Sequence, residues 1–340
     1  KTMKITKILV ALSFLFAVSS ANAGELTVTG SMETTFNSQG GSTTGNPLGT
    51  DRELKFSGST ELDNGMTVSV MQDTSDALGY GDNKITFGNV MGLVDIYVGA
   101  DGSPVDAIDD VTPSAYEEAW GSGAGTINDI GDNAGEMGIG IKAALPILGT
   151  FEAKYTPKAD ATENADNNSS GGANHAVGSG ESYSLKTNLA DIPGASLLDG
   201  ASLTLGYETQ EINTVLNTSD RHDLTAAINY SIGKVSFGVQ KKMHNEGQVG
   251  IATTDEIRYH DMAIGLAYQV NDALAISFNR YESRRHNNTT VNNTQEIDAI
   301  NIGYTMGGMT IGFQDASVDN ANFVLAAEDD SRTLGVSVAF

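Results

Sequence analysis

The sequence predicts an all-β fold, a 16-stranded antiparallel transmembrane β-barrel with short turns at one end and long loops at the other. Three observations predict it. Apolar and polar residues alternate with a period of two along nearly the whole chain beyond residue 24, as strands with two unlike faces require. The connections between those segments are alternately short and long. No later stretch approaches the run of about 18 or more apolar residues that a membrane-spanning helix needs.

The composition agrees. Among 340 residues, 39 are glycine, six proline and none cysteine, with 11 Tyr and 11 Phe. Gly, Ser, Thr and Asn fill strands, turns and polar loops, and this aromatic content argues against a disordered chain. The net charge of −24 disfavours nucleic acid, whose phosphates would be repelled. The lack of cysteine excludes a disulfide scaffold and any thiolate metal site.

Residues 1–23 read as a leader. Lys1, Lys4 and Lys7 make a positive start without acids, Ile8 to Val18 forms an apolar core, and Ala21-Asn22-Ala23 places small residues before Gly24. The apolar core is shorter than the roughly 20 residues of a spanning helix, so the expectation is a secretory signal peptide cleaved after Ala23. Met3 is not the first residue, which puts the start codon at Met3 or upstream. Without the three leader lysines, residues 24–340 carry 16 basic and 43 acidic groups, net −27.

Four segments show the alternation most clearly. Leu54, Phe56, Thr60 and Leu62 oppose Glu53, Lys55, Ser57, Ser59 and Glu61; Tyr183, Leu185 and Leu189 oppose Ser184, Lys186 and Asn188. Met262, Ile264, Leu266, Tyr268 and Val270 oppose Ala263, Gly265, Ala267 and Gln269. In the last segment Leu334, Val336, Val338 and Phe340 oppose Thr333, Gly335, Ser337 and Ala339. A β-sandwich would alternate similarly, and the spacing of the connections separates the two. Short turns are expected at 63–65, 90–92, 146–149, 191–200, 231–233, 271–272 and 307–308, and long loops at 37–50, 74–81, 101–134, 158–180, 212–219, 243–256, 284–294 and 317–330. Seven turns and eight loops join 16 strands, the even number and asymmetry of an outer-membrane barrel. Closure would pair the last strand, 331–340, with the first, 25–36. Phe36, Tyr155, Tyr207, Tyr230, Tyr268, Tyr304 and Phe340 lie near strand ends, where interfacial aromatic girdles form.

Three segments resemble the general bacterial porins, most of all the alphaproteobacterial type. Lys55-Phe56-Ser57-Gly58-Ser59-Thr60-Glu61-Leu62-Asp63-Asn64-Gly65-Met66-Thr67-Val68 is similar to that family's second strand, first periplasmic turn and third strand. Leu334 to Phe340, ending on an aromatic residue, resembles its outer-membrane assembly signal. The segment Ser114-Ala115-Tyr116-Glu117-Glu118 resembles its inward-folded third loop. The resemblance implies a homotrimer of water-filled pores in the outer membrane of a Gram-negative bacterium, passing small hydrophilic solutes without energy input. It also implies contact with outer-membrane lipid and lipopolysaccharide, and handling by periplasmic chaperones and the barrel assembly machinery through Phe340.

A 16-stranded barrel leaves an aqueous channel, and loop 101–134 is the expected constriction. It carries Asp101, Asp106, Asp109, Asp110, Glu117, Glu118, Asp129 and Asp132, no Lys or Arg, and the only tryptophan, Trp120. Folded inward, it would place a negative field across the lumen. Strand parity puts Lys55, Lys142, Lys154 and Lys186 on the lumen face beside Glu33, Glu61, Asp95, Glu136 and Glu152, with Arg52 facing lipid. The resembled family uses arginines where several of these lysines stand. The acid surplus predicts modest cation preference, stronger at low salt. Acids of the outer loops, Asp160, Glu163, Asp166, Asp315, Asp319, Glu328, Asp329 and Asp330, offer oxygens that suit Ca²⁺, although none has the EF-hand spacing.

Catalytic motifs fail. There is no G-x-S-x-G elbow and no H-E-x-x-H. Gly138 to Ala143 matches G-x-G-x-x-A but lies in an alternating strand. His222 and His260 fall near outer strand ends and are expected at the rim. The alternatives are a substrate-selective channel for sugars or organic acids, a barrel enzyme, and an adhesive surface protein. Tyr97 and Tyr259 face inward by parity, too few for a sugar slide.

Overall fold

The computed structural model describes residues 26–40, 46–74, 80–127, 130–131, 137–157, 177–212, 219–247, 257–286 and 293–340. Sixteen antiparallel strands form one closed barrel in which each strand pairs with its chain neighbours and β1 pairs with β16. They are β1 (Leu26–Gln39), β2 (Leu48–Glu61), β3 (Thr67–Thr74), β4 (Tyr80–Val90), β5 (Val94–Ala100), β6 (Gly138–Leu145), β7 (Gly149–Thr156) and β8 (Val177–Asn188). The second half comprises β9 (Ala201–Ile212), β10 (Arg221–Ile232), β11 (Val235–Asn245), β12 (Arg258–Gln269), β13 (Leu274–His286), β14 (Thr294–Met306), β15 (Met309–Asp319) and β16 (Glu328–Ala339). Hydrocarbon offers no hydrogen-bond partner, so every ladder must be paired and the sheet must close.

All seven expected turns join consecutive strands. Gly65 at φ +79° and Gly233 at φ +59° adopt the left-handed backbone that tight hairpin turns require. The strands reach further toward the loops than hydropathy suggested. β1 continues to Gln39 because Asn37, Ser38 and Gln39 pair with Thr333, Arg332 and Ser331, and β16 begins at Glu328 rather than residue 331 because Glu328, Asp329 and Asp330 pair with Asp319, Val318 and Ser317 of β15. Strand ends above the lipid carry polar residues on both faces, and hydropathy reads such ends as loop.

The outer face is apolar and half-exposed at Ile228, Phe237, Leu266, Ile300 and Val336. The inner face buries polar groups, among them Ser182, Glu208, Gln240, Asn279, Gln295, Asn301 and Gln314. Gly138 to Leu145 forms β6, so the glycine pattern there is wall and not a cofactor loop. The leader and the long loop 158–176 lie outside the described residues.

The seam is tied at its end by Phe340, whose N–H donates to Gly30 O at 2.9 Å and whose carbonyl accepts from Gly30 N–H at 3.0 Å. Deleting Phe340 removes both bonds, about 1 kcal/mol each. The expected result is a lower midpoint of thermal unfolding, read as heat-modifiable gel mobility; an unchanged midpoint contradicts the closing role.

Candidate functional site: the third loop inside the barrel

The described part of the connection from β5 to β6, residues 101–127 and 130–131, enters the barrel and lies along its inner wall. It starts at Asp101, whose carboxylate is ion-paired with Lys84 of β4. Lys154 Nζ then donates to Gly102 O at 2.6 Å and Lys186 Nζ to Ala107 O at 3.0 Å. Ser103 Oγ donates to the buried Glu208 carboxylate, and Val105 N–H donates to Ser182 Oγ at 3.1 Å. Further round, Gln240 Nε2 donates to Ile108 O at 2.8 Å and Gln240 Oε1 accepts from Val111 N–H at 3.1 Å. Asn229 donates to Val111 O, Asn279 to Pro113 O, and Ala115 N–H to Ser277 Oγ. Gln314 Nε2 donates to Glu117 O and Glu118 O, and Tyr116 Oη donates to Glu33 Oε1 at 2.7 Å. Wall side chains thus satisfy loop main-chain groups that would otherwise be buried unpaired.

The wall makes room for this backbone with glycine. Gly206, Gly238, Gly265, Gly303, Gly312 and Gly335 lie on the lumen side of six strands. A Cβ at any of them would come within 3 Å of Ile108, Pro113, Ala115 or Tyr116 of the loop. Glycine weakens a strand interior and marks a close backbone approach. Apolar contacts complete the seat: Ala119 and Ala124 pack with Ala263, Tyr281, Ile297, Ala299, Ala316 and Val318 of the wall. Val105, Ile108 and Ile130 are fully buried, each such side chain contributing about 1.5–3 kcal/mol. The return arm is held by Gln295, which accepts from Thr126 N–H and donates to Thr126 O, and by Asp223, which accepts from Gly131 N–H.

These bonds run from β7 round to β16 and β1, leaving the passage between the loop and the arc β2 to β6. The expected lumen residues therefore divide into two groups. Lys154 and Lys186 both donate to loop carbonyls, but Lys154 is buried beneath the loop while Lys186 stays exposed to lumen water. Lys55 and Lys142 lie on the free arc, but each is paired, with Glu53 at 3.1 Å and with Glu152 at 3.4 Å. Glu33 accepts from Tyr116, Asp95 accepts the Asn89 N–H at the β4–β5 turn, and Glu61 is exposed at the end of β2. Asp129, Asp132, Glu136 and the Trp120 side chain lie outside the described residues. Sequence reading missed Lys84, and it missed Lys242, a buried cation over the Tyr281 ring at 5.4 Å.

The remaining loop acids gather where the loop crosses the lumen. Burial, reinforced by Asp110, pushes the Asp109 carboxyl up to about 8. Burial, then Glu33 and Asp110, pushes Glu117 up to about 7. Glu118 rises to about 7 through burial, against the pull of its own backbone N–H. All three therefore titrate near neutrality instead of in the ordinary carboxylate range. Among the described residues no three His, Asp or Glu side chains come together as a metal site. Of the acids considered for Ca²⁺, Asp315 and Asp330 are taken by Arg332, at 3.1 and 3.9 Å. Asp160, Glu163 and Asp166 lie outside the described residues.

Residues 9–310 match the family model of the Gram-negative porins. Solved structures with the same fold include an anion-selective porin from Comamonas acidovorans, 14% identical with TM-score 0.68 over 93% of this chain and 100% of that one. OmpT of Vibrio cholerae lacking loop L8 is 12% identical with TM-score 0.69 over 94% and 100%. The trimer form of in-vitro folded OmpT is 10% identical with TM-score 0.65 over 94% and 100%. No curated protein matches by sequence.

If the glycines seat the loop, Gly303→Val must push the loop backbone at Ala115 off the wall. Single-channel conductance is expected to change by tens of per cent or more while the barrel keeps its heat-resistant gel mobility. Wild-type conductance from the folded variant contradicts the seating.

Proposed function

The chain belongs to the Gram-negative porin family, a family of outer-membrane channels rather than enzymes, and on that premise we propose a passive, mildly cation-preferring pore whose selectivity is set by its third loop. The observation that carries this reading is the loop itself, seated inside the barrel on a row of glycines with five acids and no base among residues 106–118. Hydrated solutes pass between the loop acids and the arc β2 to β6, limited by size and biased by charge. The lysines of that arc are each neutralised by a carboxylate, so the fixed charge that faces it from the loop is negative. Glu117 and Glu118 face the passage, with Asp109 and Asp110 beside them. The Comamonas porin is anion-selective, and at 14% identity that likeness shows the fold alone.

In this reading residues 1–23 direct export and are removed after Ala23, and the mature barrels associate as homotrimers, as the trimer form of OmpT illustrates for its own chain. Outer-membrane lipid and lipopolysaccharide surround them.

Planar-bilayer recording across a KCl gradient tests the proposal. The reversal potential should carry the cation sign and shrink when Glu117→Gln and Glu118→Gln are combined. A carboxyl whose pKa is raised is neutral below that value and charged above it. Cation preference should therefore grow as pH rises from about 6 to about 9, through the values near 7 and 8 of the loop acids, and the double variant should flatten that rise. An anion-sign potential, or one indifferent to both glutamates, overturns the assignment.

A further inference from the structure

The connection from β15 to β16, residues 320–327, holds four residues in the left-handed backbone region, and none of them is glycine. They are Asn320 at φ +54°, Asn322 at +56°, Phe323 at +62° and Ala326 at +61°. A residue with a Cβ is costly in that conformation, least so for Asn. Among the described residues no other connection has more than two such positions. Strain of this kind persists only where the surroundings impose it, and it gathers at clamps and switches.

Those surroundings are the inner wall and the third loop. Phe323 is 5% exposed, whereas its neighbours Val324 and Leu325 stand in the open. The Phe323 ring lies 5.7 Å from that of Tyr259 on β12, and the Arg285 guanidinium of β13 stands 5.1 Å from its centre. The side chain therefore leans across β14 to reach its seat. Asn293 Nδ2 donates to Phe323 O and Asn320 Nδ2 to Thr294 O, each at 2.9 Å. Ala321 packs into the cluster that holds Ala119 and Ala124 of the third loop. Thr126 Oγ1 of that loop donates to Asn322 Oδ1 at 2.5 Å. Gln295 Oε1 accepts from both Thr126 N–H and Asn322 N–H, each at 2.9 Å. One buried wall amide thus binds the two loops together.

We infer that the β15–β16 connection is a clasp on the third loop, with Asn322 and Phe323 as positioning residues for the constriction. Seated, Phe323 keeps Asn322 in the backbone conformation that meets Thr126 and Gln295, and the return arm stays on the wall. Unseated, the connection relaxes to ordinary backbone, Ala124 and Thr126 lose their cover, and the passage beside the arm widens. Strain favours the release and burial of the ring opposes it, so the pore has two conductance levels. The inference rests on the third loop being the constriction, as proposed above, and not on the sign of its selectivity.

Ala124 is fully buried, so Ala124→Cys in this cysteine-free chain reports on the arm. A water-soluble methanethiosulfonate should label it slowly in the folded barrel. Adding Phe323→Ala or Asn322→Ala should speed labelling at least about tenfold, as local opening becomes easier, while heat-resistant gel mobility is retained. Single-channel recording supplies a measurement that needs no weakened clasp. The wild-type pore should make excursions to a larger conductance level. Thr126→Cys combined with Asn322→Cys, once oxidised, joins the two loops covalently; it should abolish the excursions, and a reductant should bring them back. Labelling that neither variant accelerates, a wild-type pore with no larger level, or a larger level that survives the bond overturns the clasp. A reversal potential of the wrong sign leaves these readouts untouched.

Discussion

Everything in this fold follows from one constraint: the hydrocarbon around the wall can accept no hydrogen bond. The strands must satisfy each other completely, so β1 finds β16 and the sheet has no edge. A sheet of 16 strands closes around more space than its own side chains can fill. That surplus space is what the third loop occupies. The loop then faces the same constraint from inside, because its main chain is buried against a wall whose backbone groups are already paired. Only side chains remain to receive it, which is why the inner wall supplies Gln240, Asn229, Asn279 and Gln314 at the points of contact.

The same logic explains the charge pattern of the lumen. A lysine beneath the loop, such as Lys154, serves as a donor to a carbonyl and is nearly inaccessible. A lysine on the open arc, such as Lys142, meets water and finds a carboxylate. Neither leaves a free positive charge in the passage. The acids are treated differently, because Asp109, Glu117 and Glu118 crowd one stretch of loop where burial and mutual repulsion keep part of their protons near neutrality. The pore's field is thus set by the loop and modulated by proton activity.

Architecture was readable because the alternation of Leu54, Phe56 and their polar neighbours, and the rhythm of turns, express a backbone constraint that acts at every residue. The loop's inward course was legible only through the resemblance of residues 114–118. Its signature lay in the open: glycines at 206, 238, 265, 303, 312 and 335 all fall on the polar face, and six such positions on six strands require something close by. The apolar seat at Ala263, Ile297, Ala299 and Val318 was hidden, since an outward-apolar, inward-polar rule treats inward alanine and isoleucine as noise. Which lysines stand free was not legible at all. Parity gives the face of Lys55 and Lys186 alike, but which of them reaches a loop carbonyl depends on contacts some 80 residues distant, such as Lys186 with Ala107.

The claim on which all of this rests is the position of the loop against the wall, and the cysteine-free chain allows a direct measurement. Ala115 N lies 3.0 Å from Ser277 Oγ, so Ala115→Cys combined with Ser277→Cys places two thiols within disulfide reach. Oxidation of the folded barrel should close that bond rapidly and leave single-channel conductance unchanged, since the bond only records where the loop already lies. Thiols that stay free in the folded protein, or a bond whose formation changes the conductance sharply, would show that the loop rests elsewhere.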